Sequence, residues 1–93
     1  MTKYEGMYII HPTLTEEQIA TTVADMNKIF TDLGAENLEV NEWGLKDLAY
    51  EIQDLRRGYY VVFTVECNAE AINEYNRVAN IREDILRHII IKL

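Results

Sequence analysis

Residues 56–65 constrain the fold of this chain more than any other stretch. They are β-branched or aromatic almost throughout from Tyr59 onwards, a composition that predicts a β-strand. A strand with one wet face alternates apolar and polar side chains, but from Tyr59 to Phe63 every residue could face a core. Because strands of this kind are covered on both faces, we expect a central strand. We further expect helices of the same chain to cover one face and a partner molecule to cover the other.

Two helices are predicted by their capping residues and their periodicity. Thr15 and Gln18 stand at the two positions of a capping box, and Gly34 is the expected C-terminal cap. The apolar residues between them repeat with a period near 3.6 and predict one buried stripe, Ile19, Val23, Met26, Phe30 and Leu33. Asn68 is the expected cap of a second helix over residues 69–80, whose inward stripe is Ile72, Tyr75 and Ala79.

Three further strands are predicted. Residues 4–10 form the first, in which Gly6 is expected to mark the close approach of a helix. Residues 38–52 form a bent edge strand with a bulge at Gly44, and its apolar side is expected to carry Leu38, Val40 and Trp43. Residues 53–58 are predicted as a turn before the central strand, and residues 85–93 as the last strand.

The order of these elements predicts one domain over residues 1–93. Right-handed crossovers place the first and third strands in the centre and give a ferredoxin-like β-α-β-β-α-β sandwich of the α+β class, a four-stranded antiparallel sheet with both helices on one face. The other face of the sheet, termed the open face, is then bare in the monomer. If Val61, Phe63 and Val65 face the helices, the open face and its protein partner would meet through Met7, Ile9, Tyr50, Ile52, Tyr60, Val62, Ile89 and Ile91.

The sequence offers little for catalysis. Cys67 lies beside a helix cap, where a packed small residue is the expected role, and a single cysteine excludes an internal disulfide framework. His11 and His88 lack the neighbouring ligands of a zinc site, and the glycines are too isolated for a phosphate loop. We therefore expect no enzyme, no catalytic or metal-binding residue, no cofactor and no small-molecule substrate. We also expect no signal peptide and no association with a membrane.

The placement of basic residues matters more than their number. The formal net charge is −7, from nine basic and sixteen acidic residues, which argues against a generic nucleic-acid binder. Neighbouring first and last strands would nevertheless gather Lys3, Arg82, Arg87 and Lys92 along one edge of the sheet, beside Tyr4. Such an edge can bind a phosphate backbone, although an ordinary solvated surface explains the same residues equally well.

The sequence is also compatible with two other functions. Ferredoxin-like domains with a bare apolar sheet often dimerise face to face as ligand-binding or small enzyme domains, for which His88 is a poor catalytic candidate. Alternatively, Arg57-Gly58-Tyr59 partly matches the signature of an RNA-recognition motif, which would need Tyr59 or Tyr60 exposed for stacking on bases.

Motifs along essentially the whole chain resemble the bacterial small-subunit ribosomal protein S6 family. They are Tyr4-Glu5, Trp43-Gly44, Leu48-Ala49-Tyr50-Glu51-Ile52, Gly58-Tyr59-Tyr60 and Asp84-Ile85-Leu86-Arg87-His88. The resemblance implies a ferredoxin-like fold and a structural, non-catalytic role in the cytoplasmic ribosome. It further implies binding to the central domain of small-subunit ribosomal RNA together with ribosomal protein S18, and we expect the free chain to be a monomer.

The resemblance also bears on the residues expected at the RNA. The family's basic positions match Lys3, Arg82, Arg87 and Lys92. Where the family often has two basic residues before Leu-Ala-Tyr, this chain has Lys46 and Asp47, so an RNA contact is implied there for Lys46 alone.

Overall fold

The computed structural model describes residues 1–93 and contains six elements. They are β1 (Thr2–Ile10), α1 (Glu16–Asp32), β2 (Glu36–Ile52), β3 (Leu55–Cys67), α2 (Ala69–Ile81) and β4 (Ile85–Lys92). All strand pairs are antiparallel and the strand order is β2-β3-β1-β4, which confirms the predicted ferredoxin-like sandwich. Neither helix has the length and apolar composition that crossing a bilayer requires.

The core lies between the helices and one face of the sheet. Val61, Phe63 and Val65 of β3 are at most 2% exposed, so the predicted register of the central strand is confirmed. The hydroxyl of Tyr75 on α2 donates to the carbonyl oxygens of Met7 and Ile89, both at 3.2 Å, and so ties this helix to β1 and β4. The other large members of the core are Tyr8, Ile10, Ile19, Val23, Met26, Phe30 and Ile85.

Helix α1 begins and ends as its sequence predicts. Thr15 and Gln18 form the reciprocal capping box. At the other end Gly34 adopts φ +77°, and the backbone N–H of Ala35 donates to the carbonyl of Phe30 at 2.9 Å, which is the Schellman arrangement. The predicted apolar stripe is wrong at Leu33, which is the C-cap and is exposed, because the chain has already turned away from the core there.

Helix α2 is capped more weakly than predicted. Asn68 occupies the N-cap position, but its side chain makes no capping hydrogen bond. Tyr75 and Ala79 are buried as predicted, whereas Ile72 is only half-buried and Ala71 takes the fully buried position in its turn.

The hairpin between β2 and β3 differs from the prediction in its turn. Only Gln53 and Asp54 form the turn, with φ values of +51° and +64°, as in a two-residue hairpin loop. Leu55 already belongs to β3. The hairpin is therefore longer than predicted, and Ile52 still pairs with Leu55 next to the turn, although the pairing is irregular between Asp47 and Ile52.

The predicted bulge in β2 is present and changes which way the strand faces. The pairing passes from Glu42 opposite Val61 to Gly44 opposite Tyr60, so Trp43 is the extra residue, and Gly44 has φ +81°. Trp43 lies three residues after Val40 and so points to the open face, where it stacks on Tyr60, and its predicted grouping with Leu38 and Val40 is wrong.

Gly6 allows the close approach of an aromatic ring and not of a helix. A Cβ at this position would lie 2.2 Å from Cζ of Phe63, whose ring comes from the neighbouring strand β3. The prediction of close packing at Gly6 is confirmed, but the predicted partner was wrong.

Candidate protein and RNA interface

The open face carries every residue that the sequence assigned to it. In register, Met7 lies between Val62 and Ile89, and Ile9 lies beside Tyr60. The exposed apolar side chains of this face include Trp43 (54%), Tyr50 (56%), Ile89 (48%) and Ile91 (53%). Helices do not reach this face, so these side chains remain in contact with water in the isolated chain.

The chain itself covers part of the open face, which corrects the expectation that the whole cover comes from outside. β2 and β4 are the two edge strands, yet the guanidinium carbon of Arg87 on β4 lies 5.0 Å from the centre of the Tyr50 ring on β2. The tip of the β2–β3 hairpin, residues 46–58 and termed the hairpin arm, therefore bends across the sheet. Ile9 is only 3% exposed, although it faces away from both helices.

A groove of about 150 Å³ lies between the hairpin arm and the sheet. It is lined by Met7, Ile9, Leu48, Ala49, Tyr50, Ile52, Tyr60 and Arg87. Leu48 was not assigned to this face from the sequence, although its spacing of two residues from Tyr50 places both side chains on the same side of the strand.

Trp43 is the second residue of the open face that was not assigned to it from the sequence. Its ring stacks on Tyr60 with a centroid distance of 6.5 Å and an interplanar angle of 12°. The ammonium of Lys46 lies 5.9 Å from the centre of the Trp43 ring. The signal that could have placed Trp43 correctly is simple alternation, since Trp43 lies three residues after Val40 and therefore points to the other face of the strand.

The basic side chains divide into those that are paired and those that are free. Arg56, Arg57, Arg77 and Arg82 each lie within 4.0 Å of a carboxylate oxygen. The free basic side chains are Lys3, Lys28, Lys46, Arg87 and Lys92, and all except Lys28 belong to the predicted RNA-binding set.

Arg82 is held by two acidic side chains and is the least available of the predicted RNA-binding residues. Its Nε and Nη2 donate to the two carboxylate oxygens of Asp84 at 2.9 and 2.8 Å, and Nη1 donates to Asp25 at 3.0 Å. The hydroxyl of Thr22 donates to the same Asp84 carboxylate at 2.7 Å. The hydrogen bonds from Arg82 outweigh partial burial and lower the pKa of Asp84. This cluster joins α1 to the turn before β4.

The remaining cations do not gather into one patch along the edge. β1 and β4 are neighbours as predicted, with Tyr4 opposite Lys92, and the backbone N–H of Leu93 donates to the carbonyl of Lys3 at 2.9 Å. Arg87 is opposite Ile9, which at about 3.4 Å per residue places it roughly 17 Å from Lys92 along the strand. Lys3 and Lys92 thus lie at one end of the sheet but on opposite faces, Lys92 beside Tyr4 and Lys3 opposite Glu66, while Arg87 lies at the hairpin arm.

The groups considered for catalysis are in structural positions. Cys67 is buried in the core, and burial raises the pKa of its thiol. His88 lies opposite Tyr8 on the helix-covered face, with its ring edge-on to Tyr75 at 5.7 Å, and burial lowers its pKa. No group of three or more His, Cys, Asp or Glu side chains is arranged to hold a metal ion.

The two tyrosines of the central strand point to opposite faces. The Tyr59 hydroxyl donates to Glu42 at 3.0 Å, and its ring packs against the core. Tyr60 is half-buried beneath Trp43. Neither ring is presented as the bare stacking platform that the RNA-recognition-motif interpretation requires.

Comparison with known families decides among these interpretations. The sequence profile described as ribosomal protein S6 matches residues 3–92. The chain belongs to the ribosomal protein S6 family. As a member of this family it is a non-enzymatic constituent of the ribosome, in the cytoplasm, and the resemblance in its motifs is confirmed.

Solved structures agree with the family assignment. The chain is similar to the crystal structure of the 30S ribosomal protein S6 from Thermotoga maritima, with 26% identity, a TM-score of 0.92 and coverage of 99% of this chain and 87% of that one. It is also similar to an Arabidopsis thaliana protein, with 13% identity, a TM-score of 0.61 and coverage of 100% and 93%. The second likeness concerns the fold alone.

Proposed function

We propose that this chain binds the central domain of small-subunit ribosomal RNA together with ribosomal protein S18, as a monomer that pairs with S18 and has no catalytic role. The observation that carries the proposal is the open face, where exposed apolar side chains and unpaired cations lie side by side in a member of the S6 family. Exposed apolar side chains suit contact with a protein partner, and unpaired cations suit contact with the phosphates of an RNA.

The protein contact is proposed for the exposed apolar side chains of the open face. Ile89 and Ile91 alternate along β4, and Met7 and Val62 continue the same surface toward β3. Because contiguous apolar surface in water is unfavourable, burying these side chains against S18 contributes a favourable free energy of roughly 25 cal/mol for each Å² removed from water, part of which offsets the loss of motional freedom on association.

The RNA contact is proposed for the free cations, at two places. Lys3 and Lys92 lie at one end of the sheet near Tyr4, and Lys46 lies with Trp43 at the β2 edge. Arg87, the other free cation of the predicted set, lies apart from both places, beside the hairpin arm and among the apolar side chains of the open face. Arg82 belongs to the proposed set only through its remaining exposed N–H groups, because two carboxylates already offset its charge. Contacts of this kind recognise the shape of an RNA and not its sequence.

Lys3→Ala combined with Lys92→Ala is expected to weaken attachment to the small subunit and to lower the salt dependence of RNA binding by about two units in the slope of log affinity against log salt. The protein should sediment with small ribosomal subunits and be released by high salt, and the double variant should be released at lower salt. Lys28→Ala is the matched control, since Lys28 is also free and exposed but lies on α1. Equal release of the double variant and the control would contradict the assignment.

Ile89→Asp is expected to reduce S18 binding by about tenfold or more, because it places a charge in the middle of the proposed apolar contact. Ile81→Asp makes the same change at an exposed isoleucine at the end of α2, and it should leave S18 binding unchanged. Isothermal titration calorimetry with S18 and central-domain RNA measures the affinity of each of the two variants for S18. Light scattering of the isolated chain completes the test, since a stable homodimer through the open face would favour the dimeric domain and not the S18 partner.

A further inference from the structure

The groove beneath the hairpin arm has the size and lining of a site for one apolar group. Its volume is about 150 Å³, and every lining residue except Arg87 is hydrophobic. Apolar cavities of about this volume in other proteins hold a benzene-sized group. The groove is too small for a helix or a strand, so only a single side chain of an occupant can enter it.

Arg87 gives the rim of the groove a positive charge without a partner. Its guanidinium carbon lies 5.0 Å from the centre of the Tyr50 ring, and no carboxylate lies within 4.0 Å of it. Stacking on a ring leaves the N–H donors at the edge of the guanidinium free, and these donors match a carboxylate in geometry and charge.

We propose that this groove is a socket for one large apolar side chain of the protein partner, and that an acidic side chain next to it in the partner pairs with Arg87. The inference rests on the proposed function in that the occupant is a protein seated on the open face. The exposed strip of Ile89 and Ile91 leads along β4 to Arg87, so the socket is continuous with the proposed interface.

A nucleobase from the RNA fits the groove poorly. The edges of a base carry several hydrogen-bonding groups, and each one that is buried without a partner costs free energy. The only charged or strongly polar side chain that lines the groove is Arg87. An aliphatic or aromatic side chain has no such groups, so the lining favours a protein occupant.

Photo-crosslinking in assembled small subunits tests the occupant directly. Tyr50 is replaced by p-benzoylphenylalanine, which keeps an aromatic ring at the mouth of the socket, and Leu45 is replaced in the same way as a control outside the groove. The expected product from position 50, and not from 45, joins this chain to an apolar residue of another protein close to an acidic one. Crosslinks to RNA, or only within this chain, would overturn the proposal.

A variant that fills the socket with a side chain of this protein supplies the second test of the proposal. Met7→Trp places an indole ring in the groove and is expected to lower the affinity for S18 by about 10- to 100-fold, whereas Leu45→Trp should leave it unchanged. If the wild-type chain binds S18 and Met7→Trp binds equally well, the socket is refuted and the proposed function stands. If the wild-type chain does not bind S18 at all, the proposed function fails, and the crosslink from position 50 still decides whether another protein fills the socket.

Discussion

Gly6→Ala is expected to lower the free energy of unfolding by about 2–4 kcal/mol, the upper range for overpacking a core. The added Cβ would lie 2.2, 2.6 and 2.9 Å from three carbons of the Phe63 ring. That ring has little room to retreat, because Phe30 and Tyr75 lie 5.2 and 5.3 Å from it between centroids. Urea unfolding followed by circular dichroism measures the loss as a lower midpoint with an unchanged slope.

A second variant shows whether the Phe63 ring causes the loss. Phe63→Leu alone removes ring atoms from the core and is destabilising, but it also clears the space that the methyl group added by Gly6→Ala would need. The loss of unfolding free energy in the double variant should therefore be smaller than the sum of the losses in the two single variants, by a coupling of about 1–2 kcal/mol. Additive losses, or a Gly6→Ala loss below about 0.5 kcal/mol, would show that the strands separate instead and that the ring is not the obstacle.

The helices and the central strand could be predicted because their signals are local. Thr15, Gln18 and Gly34 mark both ends of α1 within a few residues of where the chain turns. The choice of the helix-covered face of β3 needed only the comparison of Val61, Phe63 and Val65 with their alternating neighbours. Once the order of elements was known, right-handed crossovers left a single sheet topology to consider.

The open face was harder to predict because it depends on contacts between distant segments. Trp43 was grouped with Leu38 and Val40 for its apolar character although it lies three residues after Val40, and the extra residue there reverses the alternation in the rest of the edge strand. Nothing in the local sequence shows that the hairpin arm bends across the sheet to bring Tyr50 to Arg87, since these residues lie on opposite edge strands. The wrong face for Trp43 and the unpredicted bend of the hairpin arm therefore both concern the same hairpin, where the pairing of β2 with β3 is irregular.

Counting charges also could not show which basic side chains are free of an acidic partner and therefore able to contact RNA. The sequence treats Arg82 and Lys92 as equals, but Arg82 is held by Asp25 and Asp84 while Lys92 has no acidic partner. The pairing follows from the packing of α1 against the turn before β4, which is a tertiary contact. The candidate RNA site predicted from the sequence is thus reduced to Lys3, Tyr4, Lys46 and Lys92, because Arg82 is held by two carboxylates and Arg87 lies in the groove proposed for the protein partner.

Asp84→Asn is expected to lower the free energy of unfolding by about 1–2 kcal/mol at neutral pH. The change removes a carboxylate that accepts two hydrogen bonds from Arg82 and one from Thr22. Breaking a fully buried ion pair costs about 3–5 kcal/mol, and the expected loss is smaller because the side chains of Arg82 and Asp84 are 25% and 21% exposed. Asp32→Asn is the control, since Asp32 is an exposed acid without an ionic partner at the C-terminal end of α1, where removing a negative charge is neutral or slightly stabilising.

The pH dependence of this loss identifies its origin. Hydrogen bonds from Arg82 lower the pKa of Asp84 in the folded chain below the value of about 3.9 that an unfolded aspartate has. The stabilisation is therefore fully present above pH ~4 and is lost as the pH falls through the lower folded-state pKa, because the unfolded chain takes up the proton first. Unfolding measured at several pH values should show a constant difference between wild type and Asp84→Asn from neutral pH down to pH ~5, which then shrinks in stronger acid. A difference that persists unchanged in acid would mean that Asp84 acts through its shape and backbone contacts, such as the bond from His11 N–H to its carbonyl, and not through its charge.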